Sequence, residues 1–431
     1  MRRVFVGTFG CKLNQYDSQV ISESFASKGH ELTSEMLAAD VCVVNTCSVT
    51  ARSDYEARQL VRKISRANPR ALILVTGCYA QRAPHEVARI GGVGLVAGNA
   101  EKASLSGLVE SLQATGEAGT EVGSAGGAPE RTISGPGFQR RSRALVKIQD
   151  GCDGCCSYCV VPSVRGRSRS EPVELIQKQV ESLEASGFAE VVLTGASVGS
   201  YGDDLGNGQS LEGLLRILLT RAKELRFRLS SIEPGEITAS LVEYVAGEER
   251  ICRHFHVPMQ SGDAGILRAM RRPYSPDEYA GKIQAIHSSL PDACLGSDVI
   301  VGFPGESESA FEKTCELVER LPLSYLHVFP FSRRPGTQAW QMGLEPTHSV
   351  KRARARVLRE LGARKRSVFV ESQMGVLAEA ILEEEVEPGL FKGTTGNYLR
   401  VLVRAQGKKP RDAIRVRITA RTDSSLLAQA C

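Results

Sequence analysis

Short apolar runs alternate with amphipathic, helix-like stretches in the first 112 residues. Four of these runs are rich in β-branched residues and nearly continuous: RRVFVGTFG, DVCVVNTC, ALILVTGC and VGLVAGN. Strands that are apolar on both faces are typical of a parallel sheet covered by helices on either side. The pattern therefore predicts a parallel-sheet α/β domain over residues 1–112.

The next stretch breaks this pattern. ATGEAGTEVGSAGGAPERTISGPG, residues 114–137, contains small, polar and turn-forming residues and shows no periodicity. Such a composition is typical of a linker or an insertion. We therefore assign residues 113–140 to a glycine-rich linker or insertion.

The alternation of apolar runs and helical patterns resumes over residues 141–366. Its strand-like runs are ALVKIQD, EVVLTGASV, LRFRLSSIEP, HFHVPMQ, ACLGSDVIVGFPG and YLHVFPFS. Six βα units predict a partial (β/α)6 barrel, whose site would lie at the carboxyl ends of the strands. Residues 367–431 instead show short alternating strands and turn residues, which predict a small C-terminal all-β barrel. The fold class is thus α/β with an all-β module at the end.

Composition and charge narrow the possible functions only slightly. A chain of 431 residues with 42% hydrophobic and 24% charged residues is that of a folded, multi-domain protein. A net charge of +5 does not by itself indicate nucleic-acid binding, but residues 351–366 contain eight Lys/Arg and one Glu. Since neither a signal peptide nor an apolar run of about 18 residues occurs, we expect a cytoplasmic protein without a membrane partner.

Twelve cysteines in a reducing compartment predict buried thiols or metal ligands rather than disulfides. Three of them form a C-x3-C-x2-C set after the first barrel strand, here called the signature trio: Cys152, Cys156 and Cys159. Three thiolates leave one iron of a cubane cluster open to a further ligand. Cys155 leaves an alternative, tandem C-x2-C pairs that bind zinc, although adjacent cysteines would share one ion only in a strained geometry.

A second group of cysteines is spread over the N-terminal domain. Three thiols each follow the carboxyl end of an apolar run, and we call them the strand-end trio: Cys11, Cys47 and Cys78. The carboxyl ends of parallel strands lie along one edge of a sheet, where ligands bind. The three thiols are therefore expected to meet, and the alternative is that they are buried core cysteines.

The signature trio, with Tyr158 before its last cysteine, resembles the radical S-adenosylmethionine (SAM) signature. Together with FGCKLNQYDS, VVNTCSVT, VTGCYAQ, HVPMQSGDAGILRAMRRPY and DVIVGFPGE, it resembles the radical SAM methylthiotransferases over nearly the whole chain. This resemblance implies an N-terminal methylthiotransferase domain (1–112), a radical SAM barrel (141–366) and a TRAM RNA-binding β-barrel (367–431).

The motifs GCKLNQYDS and HVFPFSRRPGT are most similar to one branch of this family, which modifies threonylcarbamoyladenosine next to the tRNA anticodon. The alternative within the family is methylthiolation of an aspartate in a ribosomal protein. An alternative of another class is a zinc-binding RNA module without catalysis.

The resemblance also implies SAM and two [4Fe–4S] clusters as cofactors. The signature trio would hold the cluster that binds SAM, and the strand-end trio would hold an auxiliary cluster that carries the sulfur. Radical chemistry would activate carbon-2 of the adenine, so no side chain is expected to act as a nucleophile. Five residues in the cluster loop or near carboxyl strand ends are expected to contact SAM: Tyr158, Gly195, Glu233, Gln260 and Asp298.

The partners implied are the tRNA anticodon stem-loop, a flavodoxin- or ferredoxin-type reductant and a sulfur donor. Basic residues near the signature trio and in the charged run are expected to follow the RNA backbone: Arg165, Arg167, Arg364, Lys365 and Arg366. Tyr398 or Phe391 is expected to stack on a base.

Overall fold

Six parallel strands form the sheet of the N-terminal part in the computed structural model, in the order β2-β1-β3-β4-β5-β6. The structure describes residues 1–115, 119–126, 135, 141–206, 208–422 and 425–431. The strands are β1 (Arg3–Thr8), β2 (Glu31–Leu32), β3 (Val41–Thr46), β4 (Leu72–Gly77), β5 (Val93–Ala97) and β6 (Gly119–Glu121). The helices are α1 (Lys12–Ser27), α2 (Ala51–Ala67), α3 (Cys78–Arg82), α4 (Pro84–Ala88) and α5 (Leu105–Thr115).

This sheet is covered on both faces, as its apolar strands predict. Every residue of β3 is buried. One face packs on a core that includes Val44, Val61, Ile64 and Val75. The other face packs on a core that includes Val4, Val43, Leu74 and Leu105. The predicted parallel-sheet α/β domain is confirmed.

The segment predicted to be a linker contributes to this sheet. β6 lies within residues 113–140 and pairs in parallel with β5, so this part extends the edge of the sheet. Strand pairing uses the backbone, and a short stretch of small and polar residues therefore gives no side-chain pattern that reveals it. Residues 116–118, 127–134 and 136–140 of the predicted linker lie outside the described residues.

The chain divides into two units that do not follow chain order. Unit 1 comprises Met1–Gln139, Gln149–Glu171 and Ser332–Trp340. Unit 2 comprises Arg140–Ile148, Pro172–Phe331 and Gln341–Cys431. The loop of the signature trio therefore belongs to unit 1, where it is flanked by β8 (Gln149–Asp150), α6 (Val161–Arg165) and β9 (Arg169–Ser170).

Unit 2 contains the partial barrel, built from two three-stranded parallel sheets. Its strands are β7 (Ala144–Lys147), β10 (Glu190–Thr194), β11 (Arg226–Leu229), β12 (His254–His256), β13 (Cys294–Val301) and β14 (Tyr325–Pro330). Bridges from Phe227 to Ile251 and from Ser231 to His256 join β11 to the segment of β12. The order β7-β10-β11-β12-β13-β14 confirms the predicted partial (β/α)6 barrel.

Helices between the barrel strands begin and end at recognisable signals. They are α7 (Val173–Ala185), α8 (Leu211–Arg221), α9 (Ala239–Gly247), α10 (Ala264–Ala269), α11 (Pro276–Ser289) and α12 (Glu308–Arg320). α7 starts after Pro172 and ends before Gly187, whose φ is +77°. α11 starts with a capping box between Ser275 and Glu278.

The C-terminal part forms a closed barrel of five strands, as predicted. The short α13 (Gln338–Gln341) and the long α14 (His348–Ser372) precede it. Its strands are β15 (Leu377–Glu387), β16 (Leu390–Thr395), β17 (Arg400–Arg404), β18 (Ala413–Arg421) and β19 (Leu426–Ala430). Its core includes Leu382, Phe391, Val403 and Val416. Within the described part of the chain, none of the helices has the length and apolar character needed to cross a bilayer.

Candidate functional site

The strand-end trio lies along one edge of the sheet of unit 1. Cys47 and Cys78 directly follow β3 and β4, whose last residues, Thr46 and Gly77, are register partners. Cys11 follows the neighbouring strand β1 after a short turn and is the N-cap of α1. The three thiols thus come from the carboxyl ends of three adjacent parallel strands.

Glycines before two of these cysteines allow the loops to approach each other closely. Gly10 and Gly77 both have a φ of +94°, in the left-handed region that favours glycine. A Cβ on Gly77 would lie 2.3 Å from the carbonyl oxygen of Thr46, and one on Gly10 would lie 2.6 Å from the sulfur of Cys47. Any side chain at either position would therefore push the cysteine-bearing loops apart.

The ionisation of Cys47 depends on its surroundings in the strand-end trio. Burial, followed by the neighbouring Cys78, raises the pKa of Cys47 to about 12, and Cys11 also contributes. Three thiolates side by side therefore need positive charge, which a bound metal or cluster provides. Cys47 and Cys78 are buried and Cys11 is exposed, so the trio is accessible from the side of Cys11.

The signature trio lies in the loop between β8 and α6. The backbone N–H of Gly154 donates to the sulfur of Cys152 at 3.3 Å, and the N–H of Val161 donates to the sulfur of Cys159 at 3.4 Å. Such bonds favour the thiolate form and tune the potential of an iron–sulfur cluster. Cys155 is exposed, and Tyr158 in the same loop is half-buried.

Three thiolates can bind either a zinc ion or an iron–sulfur cluster. Two thiolates bound to one zinc each lie about 2.3 Å from it, which keeps their sulfurs close together. Among the described residues, the group of three ligand atoms within 4.8 Å of one another is formed by His256, Asp298 and His327. A cubane cluster, in contrast, places its thiolates at separate corners.

A row of polar side chains lies on one face of β12, β13 and β14 in unit 2. The Asp298 carboxylate contacts Nε2 of His256 at 2.9 Å and Nδ1 of His327 at 3.2 Å. The Tyr325 hydroxyl lies 3.0 Å from the other ring nitrogen of His256 and 2.9 Å from Nε2 of His254. Burial raises the pKa of Asp298, but the two histidines outweigh this and lower it, so the carboxylate is ionised.

Glu233, Gln260 and Gly195 follow the barrel strands β11, β12 and β10 in unit 2. Glu233 pairs with Arg272, and burial raises the pKa of this carboxyl against the opposing effect of the arginine. Gln260 is buried at a φ of +64°, and its amide oxygen has no hydrogen-bond partner within the described part of the chain. A strained residue with a buried, unsatisfied acceptor is typical of a ligand-binding position.

Sequence reasoning missed some of the polar residues around these positions. His256 and His327 hold the carboxylate of Asp298, and Arg272 holds that of Glu233. In the runs HFHVPMQ and YLHVFPFS the histidines alternate with apolar residues, which is the available signal. A strand histidine with this pattern is equally consistent with an ordinary core position, so the pairing required the register of the strands.

Arg165, which the sequence predicts to bind RNA, is buried inside unit 1. The side chain of Arg165 is only 4% exposed and forms ion pairs with Asp17 and Asp150. The prediction that it contacts RNA is therefore wrong, because its charge is used inside unit 1. Arg167, in contrast, is 93% exposed.

The other residues predicted to bind RNA lie on α14 and in the C-terminal barrel. Lys365 donates to the carbonyl oxygen of Leu321 at 2.8 Å, and Arg366 donates to that of Tyr398 at 3.2 Å. The Tyr398 ring packs on His254 with the ring centroids 4.6 Å apart, and Phe391 is fully buried. Phe391 therefore belongs to the core of the C-terminal barrel, whereas Lys365, Arg366 and Tyr398 are half-buried and their contact with RNA stays a prediction.

The partial barrel, with three cysteines in the loop after its first strand, defines a radical SAM protein. Residues 146–318 match the radical SAM superfamily, and residues 3–98 match the uncharacterized protein family UPF0004. The radical SAM methyltransferase TsrM from Kitasatospora setae has a similar fold, with a TM-score of 0.57 and 16% identity. That likeness covers 78% of this chain and 76% of TsrM.

Relatives of known activity narrow this class. Threonylcarbamoyladenosine tRNA methylthiotransferase MtaB of Aquifex aeolicus is 38% identical over 89% of this chain and 93% of the relative. MtaB of Bacillus subtilis is 36% identical over 93% of this chain and 90% of the relative. The tRNA-2-methylthio-N(6)-dimethylallyladenosine synthase of Endomicrobium trichonymphae is 33% identical over 94% and 93%.

The chain therefore belongs to the radical SAM methylthiotransferase family. It is a transferase, and its family implies SAM and a [4Fe–4S] cluster as cofactors. The resemblance seen in the sequence motifs is thereby confirmed.

Proposed function

We propose that the protein adds a methylthio group to carbon-2 of threonylcarbamoyladenosine next to the tRNA anticodon. The observation that carries this proposal is the pair of separate cysteine trios in unit 1, since methylthiolation needs one site for SAM and another for sulfur. Relatives support this branch. The two MtaB proteins are 38% and 36% identical to this chain, whereas the dimethylallyladenosine synthase is 33% identical to it.

The residues present fit these cofactors. The signature trio would hold the [4Fe–4S] cluster that binds SAM, and the strand-end trio would hold the second cluster. When bound, the clusters and SAM supply the electron, the radical and the sulfur of the reaction. The N–H groups of Gly154 and Val161 stabilise the thiolates of the signature trio. Gln260 and the ionised Asp298 would accept hydrogen bonds from N–H groups of SAM or of the adenine base.

We expect tRNA to contact the outer face of the C-terminal barrel. Arg404 on β17 and Arg417 on β18 are both exposed, and both are register partners of Gln429 on the intervening strand β19. Two cations on either side of β19 suit the phosphate backbone. A cytoplasmic flavodoxin- or ferredoxin-type reductant and a sulfur donor complete the proposed partners.

Nucleoside analysis of tRNA tests this function. The gene is deleted and then restored, and the modified nucleosides of total tRNA are compared by mass spectrometry. We expect the 2-methylthio form of threonylcarbamoyladenosine to disappear on deletion and to return with the gene. An unchanged profile contradicts the proposal, and loss of the modification on a ribosomal-protein aspartate instead would identify the alternative substrate.

Iron and acid-labile sulfide analysis after anaerobic reconstitution tests the two cluster sites. Two [4Fe–4S] clusters correspond to about eight iron per chain. We expect Cys156→Ala with Cys159→Ala, or Cys11→Ala with Cys78→Ala, to retain about half of this iron. The exposed Cys431→Ala is the control. Stoichiometric zinc without sulfide would leave only a zinc-binding module.

A further inference from the structure

A buried arginine closes the base of the signature loop within unit 1. Arg165 is the last residue of α6, and α6 follows Cys159 closely in sequence. Nη1 of Arg165 donates to both carboxylate oxygens of Asp150, at 3.0 and 3.1 Å. Asp150 ends β8 directly before the loop, so this pair ties the two ends of the loop together.

The other terminal nitrogen of the same guanidinium reaches α1. Nη2 of Arg165 donates to Oδ1 of Asn14 at 2.6 Å and to Oδ2 of Asp17 at 2.9 Å. Asp17 also accepts from Nζ of Lys102 at 2.6 Å. Since α1 starts directly after its N-cap Cys11, one side chain contacts both the signature loop and the helix that carries a strand-end thiol.

Asn14 extends this connection to a second strand-end cysteine. Its amide nitrogen donates to the carbonyl oxygen of Phe9 at 2.9 Å and to that of Thr46 at 2.8 Å. These carbonyls lie in the segments that lead directly into Cys11 and Cys47. Asn14 is fully buried, so the geometry of these segments depends on its amide keeping all of its partners.

Arg165 also brings positive charge close to the strand-end trio, because α6, which ends at Arg165, contacts α3, whose first residue is Cys78. Burial opposes its charge, but Asp150 and Asp17, followed by the thiols of Cys78 and Cys11, raise the pKa of Arg165 well above its usual value. A buried guanidinium is tolerated when its donors are used by charged or polar acceptors, as they are here.

We propose that Arg165 is a positioning residue that couples the two cysteine sites. It fixes the signature loop against the strand-end trio and keeps one positive charge beside that trio. The inference rests on the proposed function, because it assumes a cluster at each site. A change in the relative position of two reacting sites sharply lowers the rate of their joint reaction, and a nearby charge shifts the potential of a cluster.

The first test measures coupling in the full, anaerobically reconstituted chain. Arg165→Lys keeps the charge but cannot bridge Asp150 and Asn14, and Arg165→Gln loses both properties. For each variant, the 5′-deoxyadenosine released is divided by the methylthiolated nucleoside formed. We expect this ratio to rise about tenfold or more in both. The control, Arg52→Gln, changes an arginine whose side chain is 85% exposed and should keep the wild-type ratio.

The second test measures the midpoint potential of the strand-end cluster by redox titration. It uses the Cys156→Ala/Cys159→Ala chain, which would retain only this cluster. Adding Arg165→Gln should make the potential more negative by about 59 mV or more, a tenfold change in a one-electron equilibrium. Arg165→Lys should stay near the parent potential.

These tests separate the role of Arg165 from the proposed function. A wild-type ratio in both variants, or an unchanged potential in Arg165→Gln, overturns the inference. Should Arg165→Gln fail to fold, the ratio in Arg165→Lys decides. The redox titration uses no RNA, so a shifted potential together with an unchanged tRNA nucleoside profile would support Arg165 and contradict the proposed substrate.

Discussion

At the residue scale, Gln260 shows how the barrel presents a polar group to a ligand. Its left-handed backbone costs about 1–3 kcal/mol in a residue other than glycine. The fold keeps this conformation because the backbone of Gln260 bonds to Asp298 and Ile300, each at 2.9 Å. The side chain, 8% exposed, is thereby held with an acceptor oxygen that no described residue satisfies.

Replacing Gln260 by Ala should weaken SAM binding by about fivefold, since one buried hydrogen bond contributes about 1 kcal/mol. Equilibrium dialysis of SAM with the reconstituted protein measures this. Gln260→Asn is the matched variant, because asparagine tolerates a positive φ but places its amide elsewhere. This variant should bind SAM weakly, and its unfolding temperature should be at least as high as that of the wild type. Wild-type affinity in Gln260→Ala would mean that the orphaned oxygen does not face SAM.

At the scale of elements, a buried ionic group attaches the barrel strands to the C-terminal barrel within unit 2. Glu190 on β10 pairs with Arg226 and Arg228 on β11, each at 2.7 Å. The same arginines donate to the carbonyl oxygens of Thr394 and Gly396, each at 2.9 Å. Two cations held by one carboxylate therefore fix the end of β16.

Glu190→Gln should destabilise the protein by about 3–5 kcal/mol at pH 7, because it leaves two buried cations without their anion. Burial raises the pKa of Glu190, but Arg228 and Arg226 outweigh it and lower the pKa to about 2. A lowered pKa in the folded state gives stability that is present above the unfolded value of 4.5 and lost as the pH falls toward 2.

The difference in unfolding free energy between wild type and Glu190→Gln should therefore shrink as the pH falls from 5 toward 2. Urea denaturation followed by circular dichroism measures it. Glu212→Gln removes the partner of the exposed Arg216 and should change stability by no more than about 0.5 kcal/mol. A difference that does not depend on pH would contradict the assignment of charge to Glu190.

The exposed cations of β17 and β18 carry the expected interaction with RNA. Changing Arg404 and Arg417 together to Gln should weaken tRNA binding and lower the slope of log K against log salt by about 2. Filter binding over a range of salt concentrations measures both quantities. The control changes Arg221 on α8 and Arg320 on α12, two exposed arginines of other elements. An unchanged slope in the first variant would place the RNA elsewhere.

Elements with a strong local pattern could be predicted from the sequence, and those that depend on a distant partner could not. β3 is apolar over its first four positions, so its burial in a parallel sheet follows from its composition. β6 has no such pattern and becomes a strand only because β5 offers an edge. The composition of the charged run in α14 is typical of exposed cations, yet its Lys351 and Arg354 are buried.

At the scale of the whole molecule, all six candidate cluster cysteines belong to unit 1, although the chain forms this unit from three separate segments. Binding of a cluster should therefore stabilise unit 1 selectively, since a ligand that binds only the folded form raises its stability. A stabilisation of about 2.7 kcal/mol corresponds to a decrease of about a hundredfold in the equilibrium constant for opening of the unit.

Hydrogen exchange of the cluster-free and reconstituted proteins tests this selectivity. We expect peptides from α2 and β4 in unit 1 to gain protection on reconstitution, and peptides from β13 in unit 2 to change little. The C11A/C78A/C156A/C159A chain, treated in the same way, should gain protection in neither unit. An equal gain in both units would mean that they unfold as one cooperative structure.

The sequence by itself determined the three kinds of module and the placement of six cysteines at loop and strand-end positions. The periodicity of apolar residues, a glycine directly before a cysteine and a short sequence spacing between cysteines are local properties. They can therefore be recognised without knowing the fold. Only the tertiary structure decided that Arg165 contacts Asn14 and Asp150, and that His256 and His327 hold Asp298. Whether a cation faces water or a buried carboxylate depends on segments far apart in the chain, and this is settled only when the strands take their register and the helices pack.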